Sequence, residues 1–105
     1  MALFRVNKIL TGNKVQVTGW SWNDHQGTDV IIAGYNPNII SDESMSIISQ
    51  ELAKNRLTSL VLDKEIELGK VISVNPDDSI TCIAFYNGID IAKYFPEYSQ
   101  NQSHI

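Results

Sequence analysis

Few side chains in this sequence stand at spacings that could do chemistry, and the metal-binding types come first. His25 lies between Asp24 and the nearby Asp29. Zinc wants three or four ligands at close spacing. This set is too thin, so a solvated turn is the preferred reading, and His104 stands alone near the C-terminus. The single cysteine, Cys82, sits in the apolar run "ITCIAFY" and reads as a small buried residue. No Ser-His-Asp set is visible. "GNK" at 12–14 and "GKV" at 69–71 lack the glycine-rich run ahead of lysine that cradles phosphate. No metal and no cofactor is therefore expected.

A polar set and an aromatic set remain. Asn13, Lys14, Tyr35, Asn36 and Asn38 are polar and mostly uncharged. A tyrosine beside several amides offers apolar area with hydrogen-bond donors and acceptors. That suits a protein or a small neutral ligand better than a polyanion. Asn and Gly are equally at home in ordinary turns, for backbone reasons alone. Trp20 and Trp22 share one strand face, and both do not fit easily into a narrow interior beside Val15 and Val17. One or both are expected at the surface, marking a contact area. Tyr86 and Phe95 are expected to fill the interior.

The totals bound the rest. A chain of 105 residues with 43% apolar residues makes one small domain with one modest core. Residues 1–98 are read as that domain and "SQNQSHI", 99–105, as a polar, mobile tail. Eight basic residues against twelve acidic ones give a net charge of −4. The basic residues are scattered, which disfavours nucleic acid as a partner. No run is long enough to span a bilayer, and "MALFRVNKIL" lacks the pattern of a signal peptide. The expected location is cytoplasmic, with no membrane partner.

The elements that must position these residues follow from periodicity. Residues 3–10 and 14–22, joined by "TGN", read as a hairpin. The opposite parity of Val15/Val17 and Trp20/Trp22 predicts a bulge near Gly19. "NDHQG" is a second turn and "TDVIIAG" a third strand. Ser41 is a candidate helix N-cap, with Asp42 and Glu43 in the first turn. Met45, Ile48, Leu52, Ala53, Leu57 and Leu60 form an apolar stripe that predicts a helix over about 42–62. Arg56 falls inside the stripe and is read as packing its stem and reaching water with its charge. The period then changes to two: Ile66, Leu68 and Val71 point one way, with an irregularity before Val71. "ITCIAFY", apolar on both faces, is a central strand. "NG" at 87–88 is a turn, and "IDIAKYF" begins a short helix before Pro96. The fold class is mainly β with one main helix. The order β-β-β-α-β is that of the five-stranded OB-fold barrel, although another small α+β sheet has the same order.

"AKNRLTSLVLDKEIEL" resembles the central segment of the staphylococcal-nuclease-like (thermonuclease) family, where an Ala-led helix runs through a Leu-rich turn into a strand. "ITCIAFYNGIDIAKYF" resembles that family's last barrel strand, its turn and the start of its next helix, and "FRVNKILTGNKVQV" its first hairpin. The likeness covers about residues 4–95 and implies an OB barrel. It also implies where catalysis would reside. The family cuts phosphodiesters with a calcium ion held by oxygen ligands. A Glu activates water, and two Arg hold the charge that develops on phosphorus.

This chain departs from the family at each of those places. The Asp-Gly-Asp-Thr turn is replaced by Thr11-Gly12-Asn13-Lys14. Gly12 survives, both carboxylates are gone, and Lys14 brings a positive charge to where calcium would sit. Anchored on Pro37, the strand-three Arg position holds Val30, or Ile31 with a one-residue slip. The following Asp position holds Tyr35 or Asn36, and the Glu position holds Asn38. The second Arg position holds Ser79, beside Asp77 and Asp78. The resemblance thus implies a catalytically inactive barrel that serves as a binding module, chiefly for another protein. A divergent metal-dependent phosphodiesterase and a single-stranded nucleic-acid binder are the alternatives.

Overall fold

The computed structural model describes residues 3–37 and 43–98. Three antiparallel strands come first: β1 (Leu3–Thr11), β2 (Lys14–Trp22) and β3 (His25–Ile32). One helix follows, α1 (Glu43–Val61), then β4 (Glu65–Val74), β5 (Ile80–Tyr86) and the two-residue β6 (Ile89–Asp90). The sheet runs β3-β2-β1-β4-β5-β6, and β3 also pairs with β5 in parallel. That pairing, Val30 with Ile80, Ile31 with Thr81 and Ile32 with Cys82, closes five strands into a barrel. Closure removes the long open edges of a flat sheet. The order and the closing pair are consistent with an OB-fold.

Alternation along the strands builds the interior. Val6, Val15, Val17, Val30, Ile32, Ile66, Ile80 and Cys82 are all buried. The expected bulge is present as a register shift between Gln16 and Trp20, with Gly19 at φ +145°. The irregularity in β4 falls between Leu68 and Val71. One strand boundary differs from the sequence reading. Asn23 and Asp24 both have positive φ, 54° and 68°. They make a two-residue turn of the primed kind favoured in hairpins, so β3 starts at His25 rather than at Thr28.

The helix expected at about 42–62 is present, but its buried face is displaced. Ser49, Ala53, Leu57 and Val61 are buried at intervals of one helical turn, while Ile48 and Leu52 are 49% and 55% exposed. Close approach explains the displacement. A Cβ added to Gly12 would lie 2.8 Å from Ala53 Cβ and 2.8 Å from Pro37 Cγ. A helix seated that tightly on the β1–β2 turn must present small residues there, so Ser49 and Ala53 outcompete the larger Ile48 and Leu52. The proposed N-cap Ser41, together with Asp42 and the tail 99–105, lies outside the described residues. The same holds for the Met45 side chain.

After the Asn87-Gly88 turn, Asp90 caps a 3-10 turn at Ile91–Tyr94 by accepting from the Ala92 amide. A second short turn, Pro96–Tyr98, follows. No described helix is long and apolar enough to cross a membrane.

Candidate functional site

The β1–β2 turn, the chain after β3 and the β4–β5 turn converge at one end of the barrel. Asn13 and Tyr35 line a cavity of about 220 Å³ there, with Ile31, Ala33, Ile72 and Thr81 among the other walls. The walls mix aliphatic side chains with the polar residues Asn13, Tyr35 and Thr81. Val30, which the resemblance sets at an Arg position, is fully buried in the core.

Lys14 follows Asn13 but is not among the residues that line this cavity. Its Nζ donates to Asp77 Oδ2 at 3.0 Å, tying β2 to the β4–β5 turn. Asp77 Oδ1 in turn accepts from the Ser79 hydroxyl at 2.6 Å and the Ser79 amide at 3.1 Å. Those hydrogen bonds, with Lys14, lower the Asp77 carboxyl to about 2. Ser79 is itself buried, and Asn75 Nδ2 donates to its hydroxyl and to Thr81 Oγ1. The turn is thus an internally satisfied polar network. The sequence reading singled out Ser79 and Lys14 but missed Asp77 as their common acceptor. A Pro-Asp-Asp-Ser turn is a legible signal for such side-chain-to-backbone bonding, yet the lysine partner lies 63 positions away.

Asn13 is engaged within its own turn. Its amide donates to Thr11 Oγ1 at 3.2 Å, that hydroxyl donates to Asn13 Oδ1 at 3.1 Å, and its carbonyl accepts from the Ile32 amide at 2.7 Å. Asn36 is half-buried and its amide donates to the Tyr98 carbonyl. Asn38 lies outside the described residues.

Tyr35 corrects the sequence reading. As a loop residue offered to a ligand it would be exposed, but it is 1% exposed. Its ring stacks on Phe95, centroids 4.2 Å apart, and its hydroxyl donates to the Gly12 carbonyl at 2.7 Å. Burial drives the phenol far above its ordinary value, with Arg56 opposing. Tyr35 is therefore a core residue that fixes the β1–β2 turn, because an aromatic ring with one polar tip buries well when the tip finds an acceptor.

Arg56 reaches the surface as the reading expects, and its charge is engaged there. Its two terminal nitrogens clasp Glu97 at 3.0 and 2.6 Å, one of them also donates to the Tyr94 carbonyl, and the guanidinium lies 5.2 Å above the Phe95 ring. The clasp holds the segment after β6 over Tyr35.

The tryptophans lie where β2 continues with β3 beyond the bulge and behave differently from each other. Trp20 is 4% exposed, and its indole N–H donates to the Asp29 carbonyl at 3.0 Å. Its ring lies against Gly27, where a Cβ would come within 2.9 Å of the ring. Trp22 has no such seat and is 41% exposed. Burial pushes the Cys82 thiol up to about 11, which leaves it unreactive as well as enclosed. Among the described residues no group of three or more His, Cys, Asp or Glu side chains could hold a metal ion.

No family model matches the chain, and no curated protein matches it.

Proposed function

We propose that this protein is a catalytically inactive, nuclease-like OB barrel that works as a binding module for another protein, in the cytoplasm. The nuclease-like likeness rests on the segments 4–95 quoted above, and a closed barrel with one helix in the right place is compatible with it. The observation that carries the reading is the Lys14–Asp77 ion pair at 3.0 Å. It puts an ammonium group beside the turn where the family's calcium carboxylates would sit. The nearby Asp77 carboxylate is already committed to Lys14 and Ser79. Hard calcium needs several oxygen ligands with carboxylates among them, and an adjacent ammonium opposes the cation. Asn13 adds an amide oxygen that is already used by Thr11. The cavity between is lined by Ile31, Ala33 and Ile72 and by no arginine, so a developing phosphorane charge would find no guanidinium there.

The test is a calcium titration followed by amide NMR, alone and with a single-stranded oligonucleotide. The reading expects no saturable shifts at Asn13, Lys14, Asp77 and Ser79. Saturable calcium binding at those amides, strengthened by the oligonucleotide, would replace it with the divergent phosphodiesterase.

A further inference from the structure

β5 begins at Ile80, next to the Ser79 network, and ends at Tyr86, where the Asn87-Gly88 turn leads into β6. Tyr86 pairs with Ile89 and Phe85 with Asp90 across this turn. Asn87 has φ +53° and Gly88 φ +78°, so both central residues are left-handed, as in a primed hairpin turn. Both are exposed, and a Cβ added to Gly88 would meet nothing within 4 Å. Among the described residues nothing hydrogen-bonds the Asn87 side chain. The flanking pair makes the ladder bonds of such a turn, so the Gly88 N–H takes no part in the ladder.

An unbonded carboxamide thus adjoins an unbonded main-chain nitrogen with no side chain to shield it. The edge position lets them meet. β6 is the last strand of the sheet and only two residues long, so the turn opens locally at little cost. Glycine then lets the main chain take up whatever angle the approach needs.

The other asparagines lack this combination. Asn36 and Asn75 precede proline, whose nitrogen has no proton to lose. Asn55 lies inside α1, where the next N–H belongs to the helix ladder. Asn13 accepts from the Thr11 hydroxyl and is followed by Lys14. Asn23, in the other primed turn, is followed by Asp24, whose side chain crowds the approach and whose charge opposes an anionic nitrogen. Asn87 is the one asparagine of the sequence followed by glycine.

We propose that the Asn87-Gly88 turn is a site of spontaneous self-modification, where Asn87 converts to aspartate and isoaspartate through a cyclic imide. The Gly88 nitrogen gives its proton to solvent base and attacks Asn87 Cγ. The new C–N bond closes the ring, the Cγ–Nδ2 bond breaks, and Nδ2 leaves as ammonia. Water then opens the imide. Attack at Cγ yields aspartate, and attack at the Asn87 main-chain carbonyl carbon yields isoaspartate.

The two products differ in consequence. Either adds a carboxylate to a surface hollow that Asn87 shares with Glu65 and Glu67. Isoaspartate also routes the main chain through Cβ and Cγ, and the extra carbon spoils the Tyr86–Ile89 and Phe85–Asp90 register. Asp90 caps the 3-10 turn by accepting from the Ala92 amide at 3.0 Å. Ile91 and Phe95 beyond it are buried, and Phe95 stacks on Tyr35. Modification of the turn therefore loosens the segment seated over Tyr35, whatever the barrel binds.

The test holds the whole chain in warm, mildly alkaline buffer and follows it by isoelectric focusing, peptide mapping and isoaspartyl-specific enzymatic methylation. A more acidic form should accumulate, with aspartate and isoaspartate at position 87. Asn87→Gln, whose longer side chain closes the ring poorly, should lose that form, and Asn23→Gln should keep it. In the purified isoaspartate form the Ala92 amide should exchange its hydrogen faster than in the parent chain. A chain that stays in its starting charge form overturns the proposal. So does an acidic form that arises at other asparagines and survives Asn87→Gln. Unchanged exchange at Ala92 overturns the link to the 3-10 turn.

Discussion

The Lys14 ammonium and the Asp77 carboxylate, 63 residues apart, meet at 3.0 Å and join the first hairpin to the β4–β5 turn. Two loops that the family resemblance assigns to catalysis are thereby tied to each other.

The acid behaviour of this tie follows from the sign of its shift. Asp77 is held at about 2, below its ordinary 3.8. Its contribution is present above the unfolded value and is lost as pH falls through the folded one. Asp77→Ala should therefore lower the melting temperature at neutral pH, and the gap to wild type should narrow as pH drops from about 4 toward 2. Thermal melts across that range check it, and a gap independent of pH would refute the assignment.

Gly12 is where the turn meets the helix. Gly12→Ala drives a Cβ to 2.8 Å from both Ala53 Cβ and Pro37 Cγ. The expected loss is about 1–3 kcal/mol, the usual cost of overpacking. Urea denaturation measures it, and a loss below about 0.5 kcal/mol would mean that the helix moves aside freely.

The buried hydroxyl of Tyr35 predicts a graded series. Tyr35→Phe removes one hydrogen bond to the Gly12 carbonyl and should cost about 1 kcal/mol. Tyr35→Ala also removes the ring stacked on Phe95 and should cost about 3–5 kcal/mol. Equal losses would show that the ring packing does not matter.

Arg56 holds Glu97 and covers Phe95. Both side chains of the pair are partly exposed, 40% and 47%, so solvent screening limits it. Arg56→Ala should cost about 1–2 kcal/mol, the sum of a modest ion pair and a cation–π contact. Arg56→Lys should recover little of it, since lysine cannot make the two-pronged contact. Full recovery by lysine would contradict the clasp.

How much of this was legible in the sequence depends on whether the signal was local. Strand alternation, the Gly19 bulge and the helix extent are local patterns; closure into a barrel rests on the β3–β5 pairing, which element order alone does not decide. The helix face was misplaced because Ile48 and Leu52 look like better core residues than Ser49 and Ala53. Only the close approach of Gly12 reverses that preference. Tyr35 was read as a surface residue because its neighbours are turn formers; its partners Gly12 and Phe95 lie far along the chain. Lys14 was placed at the turn that the resemblance assigns to calcium, but the distant Asp77 that neutralises it carries no local mark. The divergence of Trp20 and Trp22, one seated over Gly27 and one exposed, likewise depends on a cross-strand neighbour.

The central proposal is that this barrel end does no phosphodiester chemistry. The direct measurement is turnover of single-stranded DNA and RNA with and without added calcium, on protein carried through successive purifications. The account predicts no cleavage that follows the protein peak and no increase with calcium. Calcium-stimulated cleavage that co-purifies with the chain and changes in Lys14→Ala or Asp77→Ala would contradict it.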